Sequence, residues 1–93
     1  MSERVDIHLG KRLRSRRRSL GLTQQDLGQA IGIRFQQIQK YECAANRMSA
    51  ACLWKLATVL DVDVRYFFDG LTDIGPVAPA SLGSGIEDGQ PAY

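Results

Sequence analysis

The stretch Thr-Gln-Gln-Asp-Leu-Gly-Gln-Ala-Ile-Gly-Ile-Arg-Phe-Gln-Gln-Ile-Gln-Lys-Tyr-Glu, residues 23–42, leaves this chain few ways to fold. Thr23, with Asp26 three residues on, is a weak capping-box arrangement that starts a helix. Leu27, Ala30 and Ile31 then keep the i, i+3, i+4 spacing of one buried helical face. Gly32 supplies a turn, since glycine enters the left-handed region without steric cost. A second short helix is predicted over 34–43. With Gln36 at 0° and about 100° per residue, Lys40 falls near about 40° and Gln37 near about 100°. Ile38, Tyr41 and Glu42 gather on the opposite side. One face is therefore polar and amide-rich, and the other is core.

The same periodicity places the remaining elements. A helix over 6–20 carries Leu9, Leu13 and Leu20 within about 40° of one another, an apolar stripe. Gly21 closes it as a C-cap glycine. Residues 44–48 read as a loop, and Ser49 as the N-cap of a fourth helix over 50–60. Leu53, Leu56, Ala57 and Leu60 form its buried stripe. Val62 to Phe68 read as a short fifth helix with Val64, Phe67 and Phe68 inward. From Thr72 onward periodicity stops and Gly, Pro and Ser dominate. The predicted organisation is an all-α, five-helix domain over 1–71 and a flexible Gly/Pro-rich tail over 72–93. No internal repeat is visible.

Composition narrows the function classes. No apolar run approaches the roughly 18–20 residues of a membrane span, and Met-Ser-Glu-Arg does not begin a signal peptide. A cytoplasmic protein of bacterial type follows by elimination. The net charge of +2 conceals an asymmetry: residues 1–20 hold seven basic and two acidic groups, whereas 72–93 hold no basic and three acidic groups. A basic N-terminal half points to a polyanion partner. With two cysteines, Cys43 and Cys52, and His8 alone, the four Cys/His ligands of a structural zinc site cannot be assembled. Free thiols are expected in a reducing compartment. Neither a catalytic Ser/His/Asp or Cys/His set nor a Gly-rich phosphate loop is present, so no enzyme, cofactor or small-molecule ligand is expected.

Two short helices joined by a glycine turn are the mark of a helix-turn-helix. Gly-Leu-Thr-Gln-Gln-Asp-Leu-Gly-Gln-Ala-Ile-Gly-Ile, residues 21–33, resembles the core of the phage-repressor and Cro-type helix-turn-helix regulators. The usual pattern there is Gly-Leu-Thr-Gln-x-x-Leu-Ala-x-x-x-Gly-Val. The similarity continues through Ile38, Glu42, Leu53-x-x-Leu56-Ala57-x-x-Leu60-x-Val62 and Tyr66-Phe67. It implies a compact lambda-repressor-like DNA-binding domain with the third helix in the major groove. Carried over residue by residue, Arg34, Phe35, Gln36, Gln37 and Lys40 occupy base-reading positions. Gln suits adenine, and Lys or Arg suits guanine. Phe35 can touch only a thymine methyl or another apolar surface, and core packing is the alternative. Gln24, Arg17, Asn46 and Arg47 are the implied phosphate contacts, which position without specifying sequence.

Arg17 lies at the margin of the first stripe, about 80° from Leu9, and Glu42 sits on the core side of the third helix. Opposite charges on facing buried sides are costly alone and tolerable together. An Arg17–Glu42 salt bridge is expected, and the resemblance pairs the same positions. Three departures from the family pattern stand out. Arg34 replaces a capping Ser or Thr. Ala44 replaces a C-cap glycine, with a steric cost at positive φ. Arg16 falls on the apolar stripe, so the first helix must roll or Arg16 must snorkel outward.

The function these readings imply is a sequence-specific double-stranded DNA-binding transcriptional regulator, in the repressor role. It would act as a homodimer on a pseudo-palindromic operator, with Trp54, Tyr66 and Phe68 at the dimer interface. Trp54 as a partly exposed packing residue is the plain alternative. A second function class is an antitoxin-type protein that binds a partner and its own promoter. The composition of 72–93 weighs against it.

Overall fold

The computed structural model describes residues 3–72. Four α-helices, α1 (Arg4–Ser19), α2 (Gln24–Ile31), α3 (Phe35–Glu42) and α4 (Ala50–Val59), are followed by a 3-10 helix, Val64–Phe68. Among the described residues every element is helical. The expected fifth helix is thus a single tight 3-10 segment, started where the Asp63 carboxylate accepts from the Arg65 N–H at 2.8 Å. The tail expected over 72–93 lies, from 73 onward, outside the described residues. Among the described residues, no helix is long and apolar enough to cross a membrane.

Each turn follows from its residues. Asp26 N–H donates to Thr23 Oγ1 at 2.9 Å, and Thr23 N–H donates to the Asp26 carboxylate at 2.9 Å, completing the capping box of α2. Gly32, at φ 78°, ends α2. There the Ile33 N–H donates back to Gly28 O at 2.9 Å, satisfying a free carbonyl of the last turn. Arg34 precedes α3 with no side-chain cap, as its chemistry dictates. Ser49 caps α4 by accepting from Cys52 N–H at 3.0 Å.

All five elements contribute to one core. Leu9 and Leu13 from α1, Leu27 from α2, Ile38 from α3, Leu53, Leu56 and Ala57 from α4, then Leu60 and Phe67, are all buried. Two expectations are corrected here. Leu20 is 42% exposed and Phe68 43% exposed, so neither joins the core. Leu20 lies just beyond the last turn of α1, where the chain has already left the helical wheel. Phe68 ends the 3-10 helix, whose roughly three residues per turn send neighbours Phe67 and Phe68 to different sides.

The approach of α1 to α3 depends on Gly10. A Cβ there would lie 2.6 Å from Tyr41 O and 2.7 Å from Glu42 O, so any larger residue would push the two helices apart. The stripe of α1 is also tied to the end of α4. Arg16 Nε donates to Leu60 O at 2.9 Å, closing an open carbonyl at the end of α4. Arg16 therefore neither rolls the helix nor snorkels into water. It becomes a cap for another helix.

Candidate nucleic-acid interface

The third helix is held from behind by a buried ionic cluster. Arg17 Nε donates to Glu42 Oε2 at 2.6 Å, a second guanidinium nitrogen donates to Oε1 at 3.0 Å, and a third donates to Leu22 O at 2.8 Å. Gln24 Nε2 donates to the same Glu42 Oε1 at 3.0 Å. The Arg17 and Glu42 side chains are only 10% and 5% exposed. The hydrogen bond from Arg17 to Glu42 holds the guanidinium pKa above its ordinary range, against the opposing effect of burial. One carboxylate thus joins α1, the first residue of α2, and the last turn of α3. The bidentate fork fixes orientation as well as distance.

This bracing presents the outer face of α3. Arg34, Gln36, Gln37 and Lys40, with Ile33, line one shallow depression on the surface. Four of the five expected base-reading side chains thereby converge, and none of the four has a carboxylate beside it among the described residues. Phe35 stands outside this depression and is 43% exposed, which removes it from the core. Asn46 Nδ2 donates to Gln37 Oε1 at 3.4 Å, a long bond that steadies the Gln37 amide from the following loop. Burial raises the Tyr41 phenol above its ordinary pKa, and the neighbouring Gln37 amide opposes the rise. Amides and cations without an ion pair among the described residues, on the exposed face of a short helix, suit the donor and acceptor edges of bases.

Residues 13–67 match the helix-turn-helix family, of Cro/C1 type. The chain belongs to that family. A helix-turn-helix-type transcriptional regulator from Sinorhizobium medicae, itself uncharacterized, is 49% identical over 65 residues, covering 70% of this chain and 47% of its own. A transcriptional regulator from the ATPase CF(0) region of Rhodospirillum rubrum is 51% identical over 67 residues, covering 72% and 62%. This chain therefore spans about half to three-fifths of those relatives. Among solved structures, the restriction-modification controller protein C.AhdI from Aeromonas hydrophila superimposes with a TM-score of 0.64 at 32% identity, over 67% of this chain and 94% of that one. The P22 c2 repressor, solved with a synthetic operator, superimposes with a TM-score of 0.62 at 27% identity, over 67% and 94%.

Around the helix-turn-helix, several side chains expected at phosphates or at a subunit interface also have partners within the protein. Arg17 is neutralised by Glu42 inside the fold, and Gln24 is bonded to the same group. Arg47 Nε donates to Asp6 at 3.0 Å and its terminal nitrogen to Glu3 at 3.2 Å, which places this loop cation between two acids at the start of the chain. Those acids hold the Arg47 guanidinium pKa up, Asp6 most strongly. Tyr66 is half-buried: the Arg12 guanidinium lies 3.8 Å from its ring centre and Arg12 Nε donates to Tyr66 O at 2.9 Å. Its ring packs against the Arg12 side chain of α1. Trp54, 68% exposed, and Phe68 remain at the surface.

Sequence reasoning did not foresee Arg12, Arg16, Glu3 or Asp6 as partners. The acidic residues around the first turn of α1 and the i, i+4 pair Arg12–Arg16 were visible, but what they meet lies more than forty residues away along the chain.

Proposed function

We propose that this chain is a sequence-specific double-stranded DNA-binding transcriptional regulator, a repressor that acts as a dimer on a pseudo-palindromic operator. The observation that carries this reading is the convergence of Arg34, Gln36, Gln37 and Lys40 on the exposed face of a helix braced by Arg17, Glu42 and Gln24. A reader must hold its side chains in fixed geometry before DNA arrives, and a buried bidentate pair supplies that rigidity. Gln36 and Gln37 are assigned to adenine, and Arg34 and Lys40 to guanine or to flanking phosphate. Phe35, at the exposed start of α3, is assigned to a thymine methyl. Asn46 steadies Gln37 and contacts the backbone beside it.

Dimerisation is supported by Trp54. Its indole borders a depression formed with Ala30, Ile31, Lys55, Thr58 and Val59, and a second one with Ala57, Val62 and Val64. A large exposed aromatic beside concavities that mix apolar side chains with Lys55, Thr58 and Asp63 suits an isologous interface, in which each protomer presents both knob and hole. Two copies would place their recognition helices about one DNA turn apart, roughly 34 Å.

The test is selection of bound sites from random duplex DNA, followed by the Gln36→Ala variant on the selected site. Specificity should relax at one base position per half-site, at a cost of about 1–3 kcal/mol. Uniform loss of affinity across sequences would remove Gln36 from the base-reading set.

A further inference from the structure

Half of the twelve lysines and arginines of this molecule are already engaged. Among the described residues, Arg12 meets Asp69 and Tyr66, Arg16 meets Leu60 O, Arg17 meets Glu42, Arg47 meets Glu3 and Asp6, and Arg65 meets Asp63. Arg4 also has a partner. Apart from the isolated Lys55, two groups of cations have neither an ion pair nor a side-chain hydrogen bond among the described residues. One is Arg34 and Lys40 on the α3 face. The other is Lys11, Arg14 and Arg18 on α1, all exposed.

Lys11, Arg14 and Arg18 are spaced i, i+3, i+7, so they share one face of α1. With Ser15 and Ser19 they line a shallow, acid-free depression. Its position matters. Arg17, about 60° and about 100° around the helix from Arg14 and Arg18, reaches into α3 through Glu42, and Gln24 at the start of α2 meets the same carboxylate. The C-terminal turns of α1, which carry Arg14 and Arg18, therefore sit beside both elements assigned to DNA, with Lys11 one turn back and about 120° around from Arg17. Arg17 and Arg47, the cations first expected at phosphates, are neutralised within the protein. Arg47 is paired with both Glu3 and Asp6.

We infer that the Lys11–Arg14–Arg18 face is a second anchor for the DNA backbone, gripping phosphates that flank the site read by α3; this rests on the DNA-binding reading above. The spacing fits. Seven helical residues rise about 10 Å, and three phosphate steps of one strand rise about 10 Å along the duplex axis. The acidic groups of 73–93 offer a poorer match, because Asp73 is far in sequence from Glu87 and Asp88. Anchoring of this kind adds affinity and register without sequence preference.

The experiment compares the full chain with its K11Q/R14Q/R18Q variant on the selected duplex and on an unrelated one across a salt series. Thermal melting should be unchanged, since these side chains make no ion pair within the described fold. Affinity should fall on both duplexes alike. The slope of log K against log salt should flatten by about 0.9 for each phosphate no longer neutralised, up to about 2.7 per protomer. A K11R/R14K/R18K variant should keep the wild-type slope. An unchanged slope in the glutamine variant overturns the assignment. A rise in its affinity overturns it too, and marks an acidic segment such as 73–93 as the occupant. A wild-type chain that binds no duplex removes the DNA-binding reading, and this anchor with it.

Discussion

Replacing Glu42 with alanine tests how the recognition helix is held. The carboxylate is 5% exposed and accepts from two guanidinium nitrogens of Arg17 at 2.6 and 3.0 Å and from Gln24 at 3.0 Å. Its removal leaves the Arg17 charge, 10% exposed, with only Leu22 O as a partner. Breaking a buried pair from one side costs about 3–5 kcal/mol, because the remaining ion is desolvated and uncompensated. That is a large share of the about 5–15 kcal/mol that stabilises a typical domain. At about 4–8 °C per kcal/mol for a domain of this size, even about 3 kcal/mol lowers Tm by about 12–24 °C. Thermal unfolding followed by far-UV circular dichroism reads the shift directly. Glu42→Gln, which keeps an acceptor, should lose less. An Arg17→Met/Glu42→Leu double replacement should recover most of the stability, since apolar residues of similar size often match a buried ion pair. It should not recover DNA affinity, because the fork that orients α3 is gone. A Glu42→Ala melt within about 4 °C of wild type, less than the effect of a single kcal/mol, would refute the claim that this pair braces the fold.

Gly10→Ala should destabilise in urea despite the gain of about 1 kcal/mol in helix propensity, because its Cβ meets Tyr41 O and Glu42 O below 3 Å and overpacking costs about 1–3 kcal/mol. Ala44→Gly should be nearly neutral: it relieves the strain of φ 63°, worth about 1–2 kcal/mol, but gives up a buried methyl worth about 0.8 kcal/mol and adds backbone freedom to the unfolded chain. A gain above about 2 kcal/mol would show that the methyl packs against nothing useful. The bond from the Thr23 backbone N–H, first, and the nearby Thr23 hydroxyl hold the Asp26 carboxyl below its ordinary 3.8. Asp26 therefore stabilises above that value, and the contribution is lost as pH falls through the lower folded-state value. Asp26→Asn should melt below wild type near neutrality and converge with it in acid. Trp54→Ala should shift sedimentation toward monomer with little change in the melt of dilute protein.

The helix-turn-helix was legible in the sequence because its signals are local. Capping residues, glycines at left-handed positions and a 3.6-residue apolar rhythm act within a few residues of where they stand. The Arg17–Glu42 pair was legible for a related reason: each charge lay on a face that had to be buried, and only the other could compensate it. Arg34 without a cap likewise followed from residue chemistry, whereas Ala44 at positive φ followed from the resemblance, whose pattern has a glycine there. By contrast, Phe68 and Leu20 were misplaced inward because a helical wheel assumes that the α-helix continues, and it does not at either position.

What depended on tertiary structure is the fate of the charges. Arg12, Arg14, Arg16, Arg17 and Arg18 look alike in sequence, five arginines within seven residues. In the folded chain Arg12 stacks on Tyr66, Arg16 caps α4 and Arg17 locks α3, while Arg14 and Arg18 stay in water. Local periodicity orients a side chain relative to its own helix. Whether a carbonyl, a carboxylate or solvent lies within hydrogen-bond reach is set by segments twenty-five to more than fifty residues away, which only packing brings near.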